Sequence, residues 1–388
     1  MLSVDEARER VLGSVHRLEE VEAPLLETLG LALAEAVVAR HHVPPFDNSA
    51  MDGYAVRAAD IAEARGERPV ELAVLADLPA GRTTGAVVGE GQAIRIMTGA
   101  PLPAGADTVV PVEFTRAVAD KVLVMEGLSS GSHVRRAGED VREGEEVIAP
   151  GTAIGPAEIG MLASLGYARV RCFRRAVAGI ISTGDELVGV EDELAPGKIR
   201  DSNSFTIYGM VEDEAAALER AITGNLDRVD LFITSGGVSV GDYDMVKDVL
   251  GRVGEMNFWT VAMRPGKPQA FGHVRGKPLF GLPGNPVSVM VSFEQFVRPA
   301  LLKMMGHRDI FRPQVTAVLD SPIGRKKGRT EFIRVVAEWR EGRYHARATG
   351  PQGSGILRSM VVGNALAVLP QDVGRMEAGE EVAIQLLR

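Results

Sequence analysis

The sequence predicts a multidomain protein that combines an α/β domain with smaller β-rich domains, and three observations support this fold class. The chain of 388 residues exceeds the roughly 100–200 residues of a typical domain, which suggests two to four domains. Three apolar runs between residues 176 and 286 each end in a polar loop rich in glycine or proline, as buried parallel strands do. Short alternating segments before and after these runs are typical of β modules.

Composition excludes several other classes of protein. The net charge of −9, from 43 basic and 52 acidic residues, argues against nonspecific nucleic-acid binding and, taken alone, also disfavours a polyanionic ligand. The single cysteine, Cys172, permits no intramolecular disulfide and is compatible with a reducing compartment. No signal peptide is recognisable, and no apolar run reaches the ~18 residues of a membrane span. We therefore expect a cytoplasmic protein with neither nucleic acid nor membrane as a partner.

Helices and short strands are predicted in the first half of the chain. Ser3 and Glu6 have the spacing of a capping box, in which each side chain satisfies the backbone N–H of the other, so a helix is expected to start there. An amphipathic stretch over 29–40 predicts a second helix, which Pro44 ends. Pro156 marks the start of a further helix. Between these helices, strands of a β-rich module are predicted at 70–75, 93–97, 108–114 and 121–125.

The centre of the chain has the pattern of an α/β domain. Apolar runs at 176–181, 231–234 and 279–282 are each followed by a polar loop, and helices are predicted at 244–253 and from 286 to about 304. Because ligands bind at the carboxyl edge of such sheets, the three loops are expected to share one site. The alternation beyond these helices predicts a small C-terminal β domain. Its strands are predicted at 314–319, 331–339, 344–348, 365–369 and 381–386.

The loop after the second apolar run combines two opposite kinds of ligand donor. Consecutive glycines beside a helix start expose backbone N–H groups that bind anions, and two serines add hydroxyl donors. Two aspartates point instead to a cation or an amine. Together they suggest a phosphate with Mg²⁺, which prefers oxygen ligands; a helix cap with an ordinary glycine turn is the structural alternative. The residues concerned are Ser235, Gly236, Gly237, Ser239, Asp242 and Asp244.

Three further loops contain candidate functional residues. Asp185 and Glu186 follow the first apolar run, where adjacent acids either hold a metal or a ring nitrogen or merely begin a helix. Arg264 and Lys267 flank a stiff Pro-Gly turn, which suits oxyanion recognition. The loop 283–286 either presents backbone N–H groups to a ligand or is simply a rigid turn. The sequence has no HExxH, GxGxxG or GxSxG motif and no Cys/His cluster, which argues against zinc sites and hydrolase triads.

Eight segments, taken in order, resemble the molybdopterin molybdenumtransferase family (MoeA type), to which the E domain of gephyrin is similar. The resemblance spans nearly the whole chain, and the order of the segments makes it far more specific than any one of them. The segments are PPFDNSAMDGYAV, RIMTGAPLPAGADTVV, RRAGEDV, ISTGDELV, GKIRDSNS, TSGGVSVGDYD, MRPGKPQAFG and GLPGNPVSV.

The resemblance implies a fold and an activity. It implies a MogA-like α/β three-layer domain with a parallel-rich sheet, a β-rich insertion domain, an elongated helical/β N-terminal domain and a small C-terminal β domain. It implies an Mg²⁺-dependent enzyme that joins molybdate to adenylylated molybdopterin and releases AMP. The implied partners are a second copy of the chain, a MogA-type molybdopterin adenylyltransferase and molybdoenzyme acceptors. The expected domains are 1–43 with 142–172, 44–141, 173–308 and 309–388.

Matching positions in the motifs give the expected site residues. The expected catalytic residues are Asp52, Asp140, Glu186, Asp244 and Arg264. The expected binding residues for the substrates are Thr98, Ser235, Gly236, Gly237, Ser239, Lys267, Pro283, Pro286, Arg334 and Ser354. The expected metal ligands are Glu186, Asp242 and Asp244.

Two departures and two alternatives accompany the resemblance. The segment 204–231 is shorter than expected by about a dozen residues, and Thr260 stands where some members carry a basic residue. A scaffold protein without catalysis, as gephyrin is at receptors, is one alternative, although intact site motifs favour an enzyme. A tungstate-inserting paralogue is the other, since tungstate and molybdate are nearly isosteric.

Overall fold

The chain folds into two compact units. One comprises residues 1–35, 150–156 and 169–388, and the other 36–149 and 157–168. The computed structural model describes residues 1–182, 184–213, 217–219, 229–236, 254–324 and 327–387. Among these, no helix is long and apolar enough to cross a membrane. The predicted helix at 244–253 lies outside the described residues, as do Gly237, Ser239, Asp242 and Asp244.

The predicted N-terminal helix is confirmed over Val4–Ser14. Ser3 Oγ accepts a hydrogen bond from the backbone N–H of Glu6 at 3.1 Å, and the backbone N–H of Ser3 donates to Glu6 Oε2 at 2.7 Å. The helix buries Val4, Ala7 and Val11 in the core that it shares with the α/β sheet. The capping box therefore fixes the start of the helix, as expected.

The prediction of a helix over 29–40 is wrong. This segment is extended: Leu33 bridges Cys172, and Val37–Val38 is a strand that pairs with Glu146–Ile148. The backbone N–H of Leu33 donates to Thr152 O at 3.0 Å. Pairing with distant parts of the chain satisfies the backbone groups that a helix would have satisfied internally, so tertiary contacts override the amphipathic pattern. Nearby, Glu20–Pro24 pairs with Arg169–Phe173.

The unit of residues 36–149 and 157–168 contains the predicted β-rich module. Its six-stranded sheet has buried side chains from several strands, among them Leu72, Val110 and Val122. All four predicted strands are present, although the one predicted at 108–114 gives way to a 3₁₀ turn, Val112–Phe114. Two short helices, Ala58–Ile61 and Pro156–Ser164, accompany the chain here. The strand order is Thr108–Pro111, Gly53–Val56, Gln92–Ile96, Val70–Leu78, Lys121–Val124 and Thr115–Val118.

The predicted α/β sheet is confirmed in the other unit. The first four strands in spatial order pair in parallel, and the last two pair antiparallel. The order is Ala217–Glu219, Val177–Ser182, Leu231–Ser235, Lys277–Leu282, Pro268–Val274 and Gly254–Thr260. The helix Asn203–Asp213 packs on this sheet. The helix predicted from 286 is also present and contains a π-helical turn: Pro286–Ser292, Phe293–Val297 and Arg298–Met304.

The C-terminal β domain is a small closed barrel around buried aliphatic side chains. Thr330–Arg340 pairs with Arg343–Ala348 on one side and with Ala365–Leu369 on the other, which closes the ring. Gln314–Leu319 and Glu381–Leu386 complete it. All five predicted strands are confirmed. Outside the ring, Met263–Arg264 adds to the edge of Thr330–Arg340, Ile323–Gly324 pairs with Arg375–Met376, and Arg358–Val362 is a helix.

Candidate active site

Three parallel strands of the α/β sheet end level with one another. The register aligns Ser182, Ser235 and Leu282 across adjacent strands, so the three strand-end loops share one edge, as predicted. Gly236 follows with a φ of +91°, a left-handed conformation that suits glycine. Its backbone N–H donates to Leu282 O at 3.1 Å and is therefore engaged within the sheet. Of the site residues predicted in this loop, Ser235 and Gly236 belong to the described residues.

Asn203, which no sequence pattern indicated as a site residue, joins two of these loops. Its Nδ2 donates to Ser235 Oγ at 2.8 Å and to Gly284 O at 2.7 Å. The backbone of Asn203 is held at the start of its helix, because Asp201 Oδ1 accepts from the backbone N–H of Ser204 at 3.0 Å. The segment GKIRDSNS contains all three polar residues, but nothing in its spacing indicates a bond to a strand more than thirty residues away.

Ser182 and Asn203 each place a buried polar atom at this edge. Ser182 Oγ and Asn203 Oδ1 are buried and have no hydrogen-bond partner in the part of the chain that the structure describes. Because Ser182 and Ser235 are paired in register, their side chains lie on the same face of the sheet. An unsatisfied buried polar group typically costs about 1–3 kcal/mol. Such groups gathered at a strand-end edge are typical of a ligand site.

The loop 283–286 connects this edge to the C-terminal domain. Pro283 is buried, whereas Gly284 is exposed. Pro286 occupies the first turn of its helix, where its missing N–H costs nothing. The next residue, Val287, donates its backbone N–H to Ser354 O at 3.0 Å. The structure thus brings together Pro286 and Ser354, two predicted site residues far apart in sequence.

A positively charged cleft of about 160 Å³ lies between the predicted basic turn and the barrel. Arg264 and Arg334 line it with Glu331. Arg264 Nη1 contacts Glu331 Oε1 at 2.8 Å, with 41% of the Arg264 side chain exposed and 7% of that of Glu331. Arg334 is buried, and it donates from Nε to Ser359 Oγ and from Nη2 to Gly353 O, both at 3.0 Å. Two guanidinium groups against one carboxylate leave the described lining with one excess positive charge.

Hydrogen bonds hold the backbone of the basic turn. Gly266 has a φ of +99°. The buried Gln269 donates from Nε2 to Gly266 O at 2.7 Å and to Ser292 Oγ at 2.6 Å. The backbone N–H of Val261 donates to Lys267 O at 2.9 Å. The Lys267 side chain is exposed, so the turn presents an exposed ammonium on a hydrogen-bonded backbone.

Glu186 lies in the loop after the first strand of this edge. Its side chain is exposed, and a Cβ added to Gly184 would come within 2.5 Å of Glu186 Oε2. The carboxylate therefore occupies the space that the missing side chain of Gly184 leaves. Within the described residues, no three acidic, histidine or cysteine side chains come together as a metal site. The other two predicted ligands, Asp242 and Asp244, lie outside those residues.

In the unit of residues 36–149 and 157–168, two of the predicted site residues form hydrogen bonds with each other. Asp52 Oδ1 accepts hydrogen bonds from the backbone N–H and from Oγ1 of Thr98, each at 2.7 Å. The backbone hydrogen bond, followed by the hydroxyl bond, lowers the pKa of Asp52 below its ordinary value. Asp140 is exposed, and its backbone N–H donates to Val43 O at 3.1 Å. Asp47 holds the neighbouring loop by accepting from the backbone N–H of Ala137 at 2.8 Å.

The substitution Thr98→Val is expected to raise the pKa of Asp52 partway toward its ordinary value of 3.8. Valine removes the hydroxyl donor but keeps the backbone N–H, so part of the lowering should remain. Because the folded pKa is depressed, the bond stabilises the protein fully above pH 3.8, and this contribution is lost as the pH falls through the lowered pKa. Carboxyl ¹³C NMR titration of both proteins measures the change.

The control for this titration is Asp47, whose pKa is lowered by bonds from Ala137 and Arg136. Its pKa should be the same in both proteins. An unchanged pKa of Asp52 in the variant would show that the Thr98 hydroxyl does not act on it.

Three family models match the chain in succession. The MoeA N-terminal region (domain I and II) matches residues 2–166. A probable molybdopterin binding domain matches residues 179–303, and the MoeA C-terminal region (domain IV) matches residues 316–387.

Molybdopterin molybdenumtransferases from bacteria resemble the chain over nearly its whole length. Molybdopterin molybdenumtransferase 2 of Mycobacterium tuberculosis is 41% identical over 403 residues, which cover 99% of each chain. Molybdopterin molybdenumtransferase of Haemophilus influenzae is 37% identical, covering 99% of this chain and 98% of the relative. The crystal structure of the molybdopterin biosynthesis moeA protein of Pyrococcus horikoshii superimposes with a TM-score of 0.84 at 32% identity over all of both chains.

Proposed function

Since this chain belongs to the molybdopterin molybdenumtransferase family, we propose that it inserts molybdenum into adenylylated molybdopterin, with release of AMP, in the last step of molybdenum cofactor synthesis. The observation that carries the proposal is the positive cleft of Arg264 and Arg334 in a chain whose net charge is −9. An acidic protein that nevertheless concentrates guanidinium groups in one cleft is suited to a small oxyanion. The net charge of the whole chain is therefore a poor guide to its ligand.

Molybdate, a tetrahedral dianion, is the proposed occupant of that cleft. Arg264 and Arg334 would donate charge-assisted hydrogen bonds to its oxygens, with the Ser354 hydroxyl and the Lys267 ammonium at the rim. Arg264 Nη1 donates a hydrogen bond to Glu331 Oε1 at 2.8 Å. The carboxylate would partly neutralise the guanidinium charge, so that a bound oxyanion can be released. The chain's own contribution is positioning and electrostatic stabilisation.

The strand-end edge is the proposed site of the adenylylated molybdopterin. Ser235, Gly237 and Ser239 would receive its phosphate groups, Gly236 would supply the turn that its positive φ allows, and Pro283 and Pro286 would shape the rim. The sulfur ligands of the metal come from the pterin, so no protein thiol is needed. Cys172 is buried at a strand pairing, and burial raises the pKa of its thiol. It therefore stays protonated and takes no part in the chemistry.

Mg²⁺ is the proposed metal, held by Glu186, Asp242 and Asp244. Three carboxylates form the all-oxygen donor set that Mg²⁺ prefers, and the Glu186 carboxylate sits over Gly184, where a Cβ would block it. When bound, the ion would neutralise charge that develops on the leaving phosphate. Glu186, on a loop anchored by the backbone bond from Ile199 N–H to Glu186 O at 2.8 Å, would orient it.

Asp52, Thr98 and Asp140 are proposed to complete the site in a homodimer. Their support is local: the Asp52 carboxylate is kept ionised and oriented by Thr98, as a group that binds a polar substrate should be. We also propose the four-domain division given above, a cytoplasmic location, and exchange of substrate and product with a MogA-type adenylyltransferase and with molybdoenzymes.

One assay tests the proposed reaction. Purified protein is supplied with adenylylated molybdopterin, Mg²⁺ and either molybdate or tungstate, and AMP release and cofactor formation are measured. AMP release with molybdate supports the proposal, and release with tungstate alone would favour the paralogue. No AMP release with either oxyanion would overturn both enzymatic hypotheses and favour a scaffold.

The substitution Asp244→Asn is expected to lower turnover at least about tenfold while the melting temperature changes little. An amide is a poorer ligand for Mg²⁺ than a carboxylate, so the loss falls on the metal and hence on turnover. Turnover measured against Mg²⁺ concentration, alongside thermal unfolding, separates the two effects. A variant that keeps its activity but melts earlier would contradict the metal-binding role of Asp244.

A further inference from the structure

The orientation of the Asn203 amide is fixed by its partners. A backbone carbonyl can only accept a hydrogen bond, so the Asn203 atom that faces Gly284 O at 2.7 Å must be the amide nitrogen. The second hydrogen of the same NH₂ group goes to Ser235 Oγ at 2.8 Å. Both donors are therefore used within the protein, and the amide cannot flip without setting its oxygen against the Gly284 carbonyl and losing that bond.

This leaves Asn203 Oδ1 as a buried acceptor with a set direction. It has no hydrogen-bond partner among the described residues, although both hydrogens of the amide nitrogen of the same side chain form hydrogen bonds. The buried Ser182 Oγ, on the strand next to Ser235 and on the same face of the sheet, also lacks a partner there. Beside Ser235, the described residues thus offer one acceptor, Asn203 Oδ1, and one hydroxyl, Ser182 Oγ, that have no hydrogen-bond partner among them.

The chemistry of an acceptor limits what can bind it. Ionised phosphate and molybdate present only acceptor oxygens, so neither gains a hydrogen bond from Asn203 Oδ1. The matching group is an N–H or O–H donor, and a flat heterocycle with alternating N–H and C=O groups would match both Asn203 Oδ1 and Ser182 Oγ. Of the two proposed substrates, one is an oxyanion, and the other carries such an edge on its pterin.

We propose that Asn203 is a specificity-determining residue, whose Oδ1 accepts a hydrogen bond from an N–H donor of the substrate's pterin. The inference rests on the proposed function and deepens it. It assigns Asn203 to recognition of the heterocycle, while the basic cleft receives the oxyanion. The two hydrogen bonds from the Asn203 nitrogen, which connect the loops after Ser235 and Leu282, hold that acceptor in place.

Binding of three probes to Asn203→Ala tests this assignment. By calorimetry, adenylylated molybdopterin should bind at least about tenfold more weakly, because its donor loses a buried partner. Molybdate and AMP should each bind within about twofold of the unmodified protein, since neither presents the pterin edge. Equal weakening of AMP would overturn the assignment by placing the donor on the adenosine, and weakening of all three probes would reduce Asn203 to a structural tie.

The substitution Asn203→Asp separates recognition from the loop tie. Aspartate keeps an acceptor but loses both donors, and its charge opposes Gly284 O. If the acceptor matters, this variant should bind adenylylated molybdopterin at least about fivefold more tightly than Asn203→Ala. If only the tie matters, it should bind no better than the alanine variant, and the proposal is then wrong.

Two controls keep the result interpretable. Ser204→Ala alters the adjacent residue, whose hydroxyl bonds only Asp201 among the contacts described, and should leave all three affinities unchanged. Circular dichroism and melting temperature verify that each variant folds. If the unmodified protein fails to bind adenylylated molybdopterin, the proposed function fails; if it binds and Asn203→Ala binds equally well, only the role of Asn203 is overturned.

Discussion

Arg334→Met is expected to weaken molybdate binding at least about a hundredfold, or roughly 3 kcal/mol, because the lost charge lies in a buried site. Arg334 lines the cleft and is only 2% exposed, and hydrogen bonds to Ser359 Oγ and Gly353 O hold its guanidinium in place. Water cannot screen a charge in that position, so its attraction for a dianion is large.

The stability of the same variant should change much less than its affinity. Methionine removes hydrogen bonds to Ser359 and Gly353, each worth about 0.5–1.5 kcal/mol. It also removes a buried cation, whose desolvation costs free energy when no oxyanion is bound. These two effects oppose each other, so thermal unfolding of the ligand-free variant should lie near that of the unmodified protein.

Calorimetric titration with molybdate, run beside thermal unfolding, measures both quantities. The matched control is Arg343→Met, the same substitution on an exposed residue of the same barrel that does not line the cleft. It should leave molybdate affinity unchanged. Molybdate binding by Arg334→Met within about threefold of the unmodified protein would show that the oxyanion binds elsewhere.

Gly53→Ala is expected to destabilise the β-rich module by about 3 kcal/mol or more, at the upper end of overpacking costs. Gly53 lies on an interior strand, paired with Ile96 on one side and Pro111 on the other. A Cβ added there would stand 2.0 Å from Val110 O and 2.8 Å from Val110 C. The clash is with backbone, so no side chain can rotate away, and the strands would have to part.

Urea unfolding followed by circular dichroism measures this loss. Gly66→Ala is the matched control, since nothing lies within 4 Å of the position where its Cβ would stand. That variant should be neutral or more stable by a few tenths of a kcal/mol, because alanine restricts the unfolded chain more than glycine does. Unchanged unfolding of Gly53→Ala would mean that the paired strand yields readily, contrary to the geometry.

Local patterns predicted the parts of the fold that local forces decide. The apolar runs before Ser182, Ser235 and Leu282 identified three buried strands and the edge at which they end. The capping box at Ser3 placed the start of the first helix. In each case a short stretch of sequence carries the physical cause of the structure.

The failures occurred where the cause lies far away in the chain. The segment 29–40 has a helical pattern, yet its backbone pairs with residues more than a hundred positions later. Glu331 was not anticipated as the partner of Arg264, because it lies 67 positions later and the sequence between them contains no signal of the bond. Asn203 was missed for the same reason: its importance comes from two bonds to other loops. Spacing cannot reveal such contacts, since register and packing create them.

The short strand Met263–Arg264 has a consequence for exchanging parts between relatives. In the sequence it lies between Gly254–Thr260 and Pro268–Val274, two strands of the α/β sheet. In the structure it pairs instead with the barrel, at Thr330 and Glu331. The barrel is therefore not a self-contained module. A chimera that took residues 309–388 from another family member would replace Glu331 and the edge on which Arg264 rests, while Arg264 itself stayed behind. To transfer the cleft intact, a chimera must take both the turn at 263–268 and the barrel from the same parent. In the sequence, some forty residues of sheet and helix that do not belong to the cleft separate the turn from the barrel.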